Sequence, residues 1–201
     1  HQAAVDNTVF VTFMNVRTIS FALNWAAHLA KAKMGGGIVG FMNMRQDTSV
    51  FRGLSAKLST LGVATFCAIS PQAAISPQGG RWFHVIPLLL TGVRVILSDV
   101  DVVWLRSPLP YLRELEEAHP QMDFAISSDA QSPTDGRRIL ANSSRALDIE
   151  AFGACSVSLN VGVVAFAPSA RAGAIKAIHE VERHLNSSIM LRRVDQGPIN
   201  H

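Results

Sequence analysis

Asp99 and Asp101 are the residues of this chain best suited to do chemistry. They stand one residue apart in Val95-Ile96-Leu97-Ser98-Asp99-Val100-Asp101-Val102-Val103-Trp104-Leu105, where an apolar run passes directly into two carboxylates. Gly92 and Arg94 mark the turn before it, and the run reads as a buried parallel strand with both acids at its C-terminal edge. In open α/β sheets that edge borders the crevice where ligands bind. Two hard oxygen donors there suit a divalent cation, and a cation so held can neutralise a diphosphate. A strand-end Asp also serves as an ordinary turn or helix cap, so the flanking sequence has to carry the distinction.

The flanks do carry it. The stretch ILSDVDVVWLRSPLPYL joins the D-x-D to V-W-L, Arg106, Pro108, Pro110 and Tyr111. Near the start stand Val9-Phe10-Val11-Thr12-Phe13-Met14-Asn15 and Phe21-Ala22-Leu23-Asn24-Trp25. Near the end stand Leu159-Asn160-Val161-Gly162-Val163-Val164-Ala165-Phe166 and Asp195-Gln196-Gly197-Pro198-Ile199-Asn200. In order and spacing these blocks resemble the nucleotide-diphospho-sugar transferase domain of glycosyltransferase family 77, which includes plant and algal arabinosyl-, xylosyl- and galactosyltransferase-like proteins.

The resemblance implies a GT-A-like α/β fold and a retaining, metal-dependent sugar transferase. The donor would be a UDP-sugar with Mn²⁺ or Mg²⁺, and the acceptor a glycan or glycoprotein. It implies Asp101 as a direct metal ligand, with Asp99 on the ribose, the metal or both. Thr12, Phe13 and Asn15 would lie where base and ribose sit, or simply end a strand. Arg81 would reach the donor, unless it is a solvated residue, and Gly162 would border the donor sugar beside Asn160. Asn160, Asp195 and Gln196 would line the reacting carbon, where an amide or carboxylate binds hydroxyls and stabilises developing positive charge; Asn160 at a bend and Asp195 as a helix cap are the plainer alternatives. Two departures stand out. Gly79-Gly80-Arg81-Trp82 replaces a Lys-containing stretch found in many relatives, and a third metal ligand, often a His, would follow the D-Q segment beyond this chain.

These residues need elements to position them. The pattern predicts strands over residues 8–14, 38–42 and 63–68, and helices over 18–33, 49–61 and 82–90, the last delivering the chain into the D-x-D strand. This alternation argues for a parallel sheet covered on both faces, and the GT-A-like fold that the resemblance implies has a mixed, mainly parallel one. Residues 70–80 read as a loop. Beyond Asp101 the expected elements are a short helix over 108–118, strands over 123–127 and 156–166, a poorly patterned stretch over 132–148, and a helix over 170–185. The expectation is one domain over residues 1–201, with a Rossmann-like nucleotide-binding half at 1–105 and a more irregular sugar and acceptor half at 106–201. Trp25, Trp104, Met14, Met42 and Met44 read as core, His84 as a packed helix residue, and Trp82 as either core or a sugar-stacking ring.

With 201 residues and 48% hydrophobic content the chain can bury a full core, and its charged fraction of 16% argues against global disorder. The net charge of +3 is scattered apart from Arg137-Arg138 and Arg192-Arg193, so no basic stripe argues for nucleic acid. No apolar stretch approaches the roughly 20 residues of a membrane span. The chain reads as part of a longer protein, and the resemblance implies a type II membrane protein of the Golgi lumen whose anchor lies outside this segment. Asn142-Ser143-Ser144 and Asn186-Ser187-Ser188 fit the glycosylation acceptor pattern. Cys67 and Cys155 are the only cysteines, read as two buried thiols rather than a disulfide.

Two alternatives stand beside the transferase. D-x-D-x-V after an apolar strand is also the nucleophile motif of haloacid-dehalogenase-like phosphatases, with Asp99 attacking phosphate and Asp101 as acid/base. Those enzymes begin with that strand, whereas here it arrives midway. A noncatalytic relative that kept sugar or nucleotide binding is the other.

Overall fold

Strand β1 (Thr8–Met14) is rich in β-branched and aromatic residues, and its successive side chains enter two different cores. Phe10 and Met14 point to one face of the sheet, Val9 and Val11 to the other, which is the period-2 signature of a strand buried on both sides. Strands β2 (Gly37–Met42), β3 (Ala64–Ala68) and β4 (Arg94–Ser98) lie parallel to it. The computed structural model describes residues 6–69, 79–128, 159–168 and 171–186.

Helices α1 (Ile19–Lys31) and α2 (Ser49–Thr60) make the first two crossovers. The α2 N-terminus is capped by Thr48, whose hydroxyl accepts from the Phe51 N–H at 3.2 Å. Trp25, Leu29 and Leu58 from these helices are fully enclosed against Phe10, Val39, Phe41 and Ile96. Burial of side chains this large stabilises by about 1.5–3 kcal/mol each relative to exposure. The Trp25 indole N–H also donates to Ser98 Oγ at 3.0 Å, which ties α1 to the last residue of β4.

The segment before β4 differs from the single helix over 82–90 that the sequence predicts. A 3₁₀ helix (Gly79–His84) comes first, and α3 (Ile86–Leu90) starts afresh. Pro87 accounts for the break: it lacks an N–H and its ring crowds the carbonyl four residues back, so it is tolerated in the first turn of α3 and not inside a longer helix. Gly92, at φ +78°, then turns the chain into β4, a left-handed conformation that glycine adopts without steric cost.

After β4 the direction of pairing changes. Helix α4 (Leu109–Ala118), with Pro110 in its first turn, leads to β5 (Phe124–Ser128); β6 (Leu159–Phe166) and α5 (Arg171–Asn186) complete the described residues. The sheet order is β3-β2-β1-β4-β6-β5, with β6 antiparallel to both β4 and β5. The mixed, mainly parallel α/β sheet expected from the sequence is therefore present. Trp82, Val85 and Leu89 meet Val95, Leu97, Val164, Phe166, Ala174 and Ile178 on the face opposite α1 and α2.

Arg94 opens β4 and is buried, yet fully engaged. Its Nε donates to Glu116 Oε1 at 2.9 Å, its Nη2 to Oε2 at 2.5 Å, and its Nη1 to Thr8 Oγ1 at 3.2 Å. This bidentate fork fixes α4 against the N-terminal end of the strand. Among the described residues no helix is long and apolar enough to cross a membrane.

Candidate active site

Strands β1 and β4 are neighbours, but β1 continues to β2 on one side while β4 is followed on its other side by β6. Their carboxyl ends therefore flank the topological switch point, where a doubly wound sheet leaves its binding crevice. Asp99 follows the last residue of β4. Its N–H donates to the Gly162 carbonyl at 2.8 Å and its carbonyl accepts from Val102 N–H at 3.3 Å. Val100 and Val102 pack against the core on the α1 side, whereas Asp99 is half-exposed and Asp101 exposed. Alternation of inward valines with outward acids thus turns a sequence spacing into an acidic pair at the crevice.

The structure links the D-x-D to two other predicted residues. Arg81 Nη1 donates to Asp99 Oδ1 at 2.7 Å, with side-chain exposures of 12% for Arg81 and 42% for Asp99. Arg81 is thus no solvated residue. Its guanidinium carbon lies 5.4 Å from the Trp82 ring centroid, within cation–π reach, and Trp82 itself is core. Gly162 meets Asp99 through the backbone hydrogen bond above. Asn160 pairs with Ser127 across the β5–β6 ladder, beyond a bulge between Ile126 and Ser127. Since β4 ends where Ser98 pairs with Val163, this part of β6 runs past β4 on the D-x-D side. Bulges of this kind re-aim a strand next to binding sites.

The end of β1 is arranged differently. Thr12 is fully enclosed, and among the described residues its hydroxyl has no hydrogen-bond partner. Asn15 is exposed but locally engaged: its Oδ1 accepts from Arg17 N–H at 2.8 Å, and its N–H donates to Thr18 Oγ1 at 3.0 Å. This side-chain-closed turn leads into α1. Phe13 faces away from Thr12 and joins Phe66 and His84, with centroids 5.4–5.9 Å apart. The two phenyl rings cover Gly40, where a Cβ would stand 2.5 Å from Phe13. Desolvation in this cluster pushes the His84 imidazole below its ordinary value of 6.5. His84 is packed, as its sequence context suggested; Phe66, its closest ring partner, was not singled out, and only the alternation of β3 pointed to its side of the sheet.

Trp104 is buried edge-on to Phe10, with centroids 5.5 Å apart, and fastens the segment after the D-x-D to β1. Met14, Met42 and Met44 are core. Cys67 is half-buried, and burial first, then the Asp47 carboxylate, push its thiol above the usual range. Asp195, Gln196, Cys155 and Asn142 lie outside the described residues.

Among the described residues no group of three or more His, Cys, Asp or Glu comes together, so this part of the chain offers a cation the two carboxylates of the D-x-D. That donor set fits a hard dication of the Mg²⁺ or Mn²⁺ kind, which is commonly held by one or two carboxylates and completed by substrate phosphate oxygens and water.

Two solved structures, both glycosyltransferases by name, share this fold. Glycosyltransferase GlyE of Streptococcus pneumoniae matches 96% of this chain and 42% of its own at TM-score 0.58 and 12% identity. Galactosyltransferase LgtC, solved with donor and acceptor sugar analogues, matches 95% of this chain and 69% of its own at TM-score 0.54 and 15% identity. The fold is thus of the GT-A glycosyltransferase class. Residues 80–201 match the family described as nucleotide-diphospho-sugar transferase. Arabinosyltransferase XEG113 of Arabidopsis thaliana is 31% identical over 139 residues, which cover 64% of this chain and 20% of the relative. The chain belongs to the nucleotide-diphospho-sugar transferase family. It spans about a fifth of the length of this curated relative. Membership sides with the transferase expectation over the phosphatase alternative.

Proposed function

We propose that this chain carries the donor side of a glycosyltransferase that moves a sugar from UDP to a glycan or glycoprotein acceptor with retention of configuration. The observation that carries the reading is the acidic pair Asp99 and Asp101 at the β1/β4 switch point, with the Arg81 guanidinium beside it. Asp101, with Asp99, would hold Mn²⁺ or Mg²⁺. The cation's chemistry is Lewis-acid stabilisation of the departing diphosphate. Around it the chain's own residues bind and orient. Arg81 offers N–H donors of the geometry that suits phosphate and sugar hydroxyls, and the β1 end, with Thr12, Phe13 and Asn15, is assigned to the nucleoside. Gly162 and Asn160, on the strand running past Asp99, are assigned to the donor sugar. Asp195 and Gln196 complete this reading as the groups that orient the sugar and stabilise charge at its anomeric carbon. Residues 1–105 serve the nucleotide and 106–201 the sugar and acceptor. A Golgi-lumenal, type II setting is part of this proposal, supported by the family resemblance.

The test is a screen of UDP-sugars for hydrolysis and transfer by the full-length protein, with Mn²⁺ and with EDTA, alongside calorimetric titration of UDP in both. Cation-dependent UDP binding with turnover of one donor is the expected result. Equal UDP affinity in Mn²⁺ and EDTA would remove the cation from the site. Tight UDP binding with no turnover of any donor would identify a noncatalytic relative.

A further inference from the structure

Resting on the transferase reading just proposed, we infer that the crevice rim on the α1, α2 and α4 side docks an acidic polypeptide segment bearing apolar side chains, so that the acceptor's protein part is recognised. Three strand-to-helix connections build this rim. They follow β2, β1 and β4, which are consecutive in the sheet, and each leads into a helix packed on the same core. Each presents an exposed aliphatic side chain close to an exposed arginine. Val16 and Arg17 lie between β1 and α1, Val50 and Arg52 in the first turn of α2, and Leu105 and Arg106 between β4 and α4.

Folding accounts for neither property. Of the large apolar side chains left exposed among the described residues, all but Leu90 stand on the carboxyl-edge side of the sheet, and Leu105 is 84% exposed. Scattered singly such residues need no explanation, but gathered along one edge they mark an interaction surface. The charges are equally one-sided. A helix N-terminus favours acids, and a cation there opposes the macrodipole. Helices α1, α2 and α4 nevertheless have no acid in their first turns, and Arg17, Arg52 and Arg106 stand at or just before them. Lys31 and Lys57, in the last turns of α1 and α2, suit the dipole and are explained by helix stability. The three arginines make no ion pair among the described residues, while Arg45 and Asp47 on the same edge pair with each other at 2.9 Å. The rim is therefore positive and partly apolar.

Those two properties define the occupant. Guanidinium forks match carboxylates. Val and Leu gain by covering apolar surface, which the hydroxyls of a free glycan do not offer and the side chains of a peptide do. Neighbouring strands stand about 4.8 Å apart, so the ends of β2 and β4 are separated by roughly 10 Å, about three residues of extended chain. A short segment thus spans all three connections. Asp47, Asp99 and Asp101 share this edge and would repel a continuous anionic bilayer, whereas a peptide with spaced carboxylates passes between them.

The experiment uses the full-length protein with saturating UDP and Mn²⁺, so that the peptide is measured beside a filled donor site. The probes are a fluorescent decapeptide repeating Glu, Leu and Gly, the same peptide with Gln for Glu, and phosphatidylserine-containing vesicles. Wild type should bind the Glu peptide about tenfold more tightly than the Gln peptide, as three exposed ion pairs allow. The combined variant Arg17→Gln, Arg52→Gln, Arg106→Gln should lose that tenfold and bind the Gln peptide as wild type does. Leu105→Ser should weaken both peptides by about tenfold. UDP affinity in Mn²⁺ should be unchanged in every variant. Equal affinity of wild type and the combined variant for the Glu peptide overturns the inference, as does binding of the vesicles without the peptides. A lower melting temperature of the combined variant with unaltered peptide binding assigns the rim to the rest of the chain, which overturns it too. Failure of wild type to bind UDP, with the peptides behaving as expected, overturns the donor-site reading and leaves the docking surface standing.

Discussion

Strand β4 carries an ion pair at each end, and the two are built for different purposes. At the N-terminal end, Arg94 and Glu116 have side-chain exposures of 7% and 24%, both carboxylate oxygens are engaged by the guanidinium, and Thr8 takes a third N–H. At the C-terminal end, Arg81 contacts one oxygen of Asp99, which is 42% exposed, and Asp101 stands exposed two residues on. The first pair has both carboxylate oxygens committed to a single guanidinium. The second keeps oxygens turned to the crevice, and binding requires just such unspent capacity. The same residue types therefore stabilise at one end and await a ligand at the other, as expected when the crevice of an open sheet lies outside the carboxyl ends of its strands.

The largest effect that would test this contrast is at the open end. Asp101→Ala should lower kcat/KM for sugar transfer by several kcal/mol, on the order of a thousandfold. Its unfolding midpoint should stay near that of wild type, because an exposed carboxylate contributes little packing. Steady-state kinetics with a thermal melt check both halves, and a large loss of stability would place Asp101 with the structural pair instead.

At the closed end the signature should invert. Glu116→Ala leaves the Arg94 guanidinium buried without its anion, a change that costs about 3 kcal/mol of folding stability. Urea unfolding should show that loss, while UDP affinity measured well below the unfolding transition stays at the wild-type value. A fall in UDP affinity with unchanged stability would break the comparison.

The smallest effect concerns the cluster behind the open pair. The folded-state pKa of His84 lies below its ordinary value of 6.5, so as pH falls through about 6.5 the unfolded chain takes up the proton first. The contribution of neutral His84 is thus fully present above that pH and is lost toward the lower folded value. Melting temperatures at pH 7.5 and 5.0 should differ less in His84→Phe than in wild type, by at most about 2–4 °C. An identical pH dependence in the two proteins would remove His84 as a source of acid sensitivity.

How legible this was in the chain depended on the range of the interactions. Strands β1 to β3 and helices α1 and α2 lie within two residues of their predicted bounds, because apolar runs bordered by Gly and a Thr cap are local signals. The break between the 3₁₀ helix and α3 was also written locally, in Pro87, but the apolar spacing over 82–90 masked it. Asn15 shows a different limit. Sequence marked a polar residue at a strand end, and its side chain proved to close the turn into α1, a contact available within three residues of chain. Arg81 with Asp99 could not be read at all. Eighteen positions separate them, and no periodicity connects a 3₁₀ helix to the residue beyond a strand.

By itself the sequence determined the strand–helix alternation, the buried character of β4, the acidic pair at its end and, through blocks in their order, the family. Each is a property of neighbouring residues or of a linear pattern, so no folding is needed to see it. Only the tertiary structure decided that β1 and β4 flank the switch point, that β6 runs antiparallel past Asp99, and that one acid is paired while the other stands open. The reason is that packing of Trp82 and His84 against distant strands, rather than any local preference, sets where the Arg81 charge comes to rest.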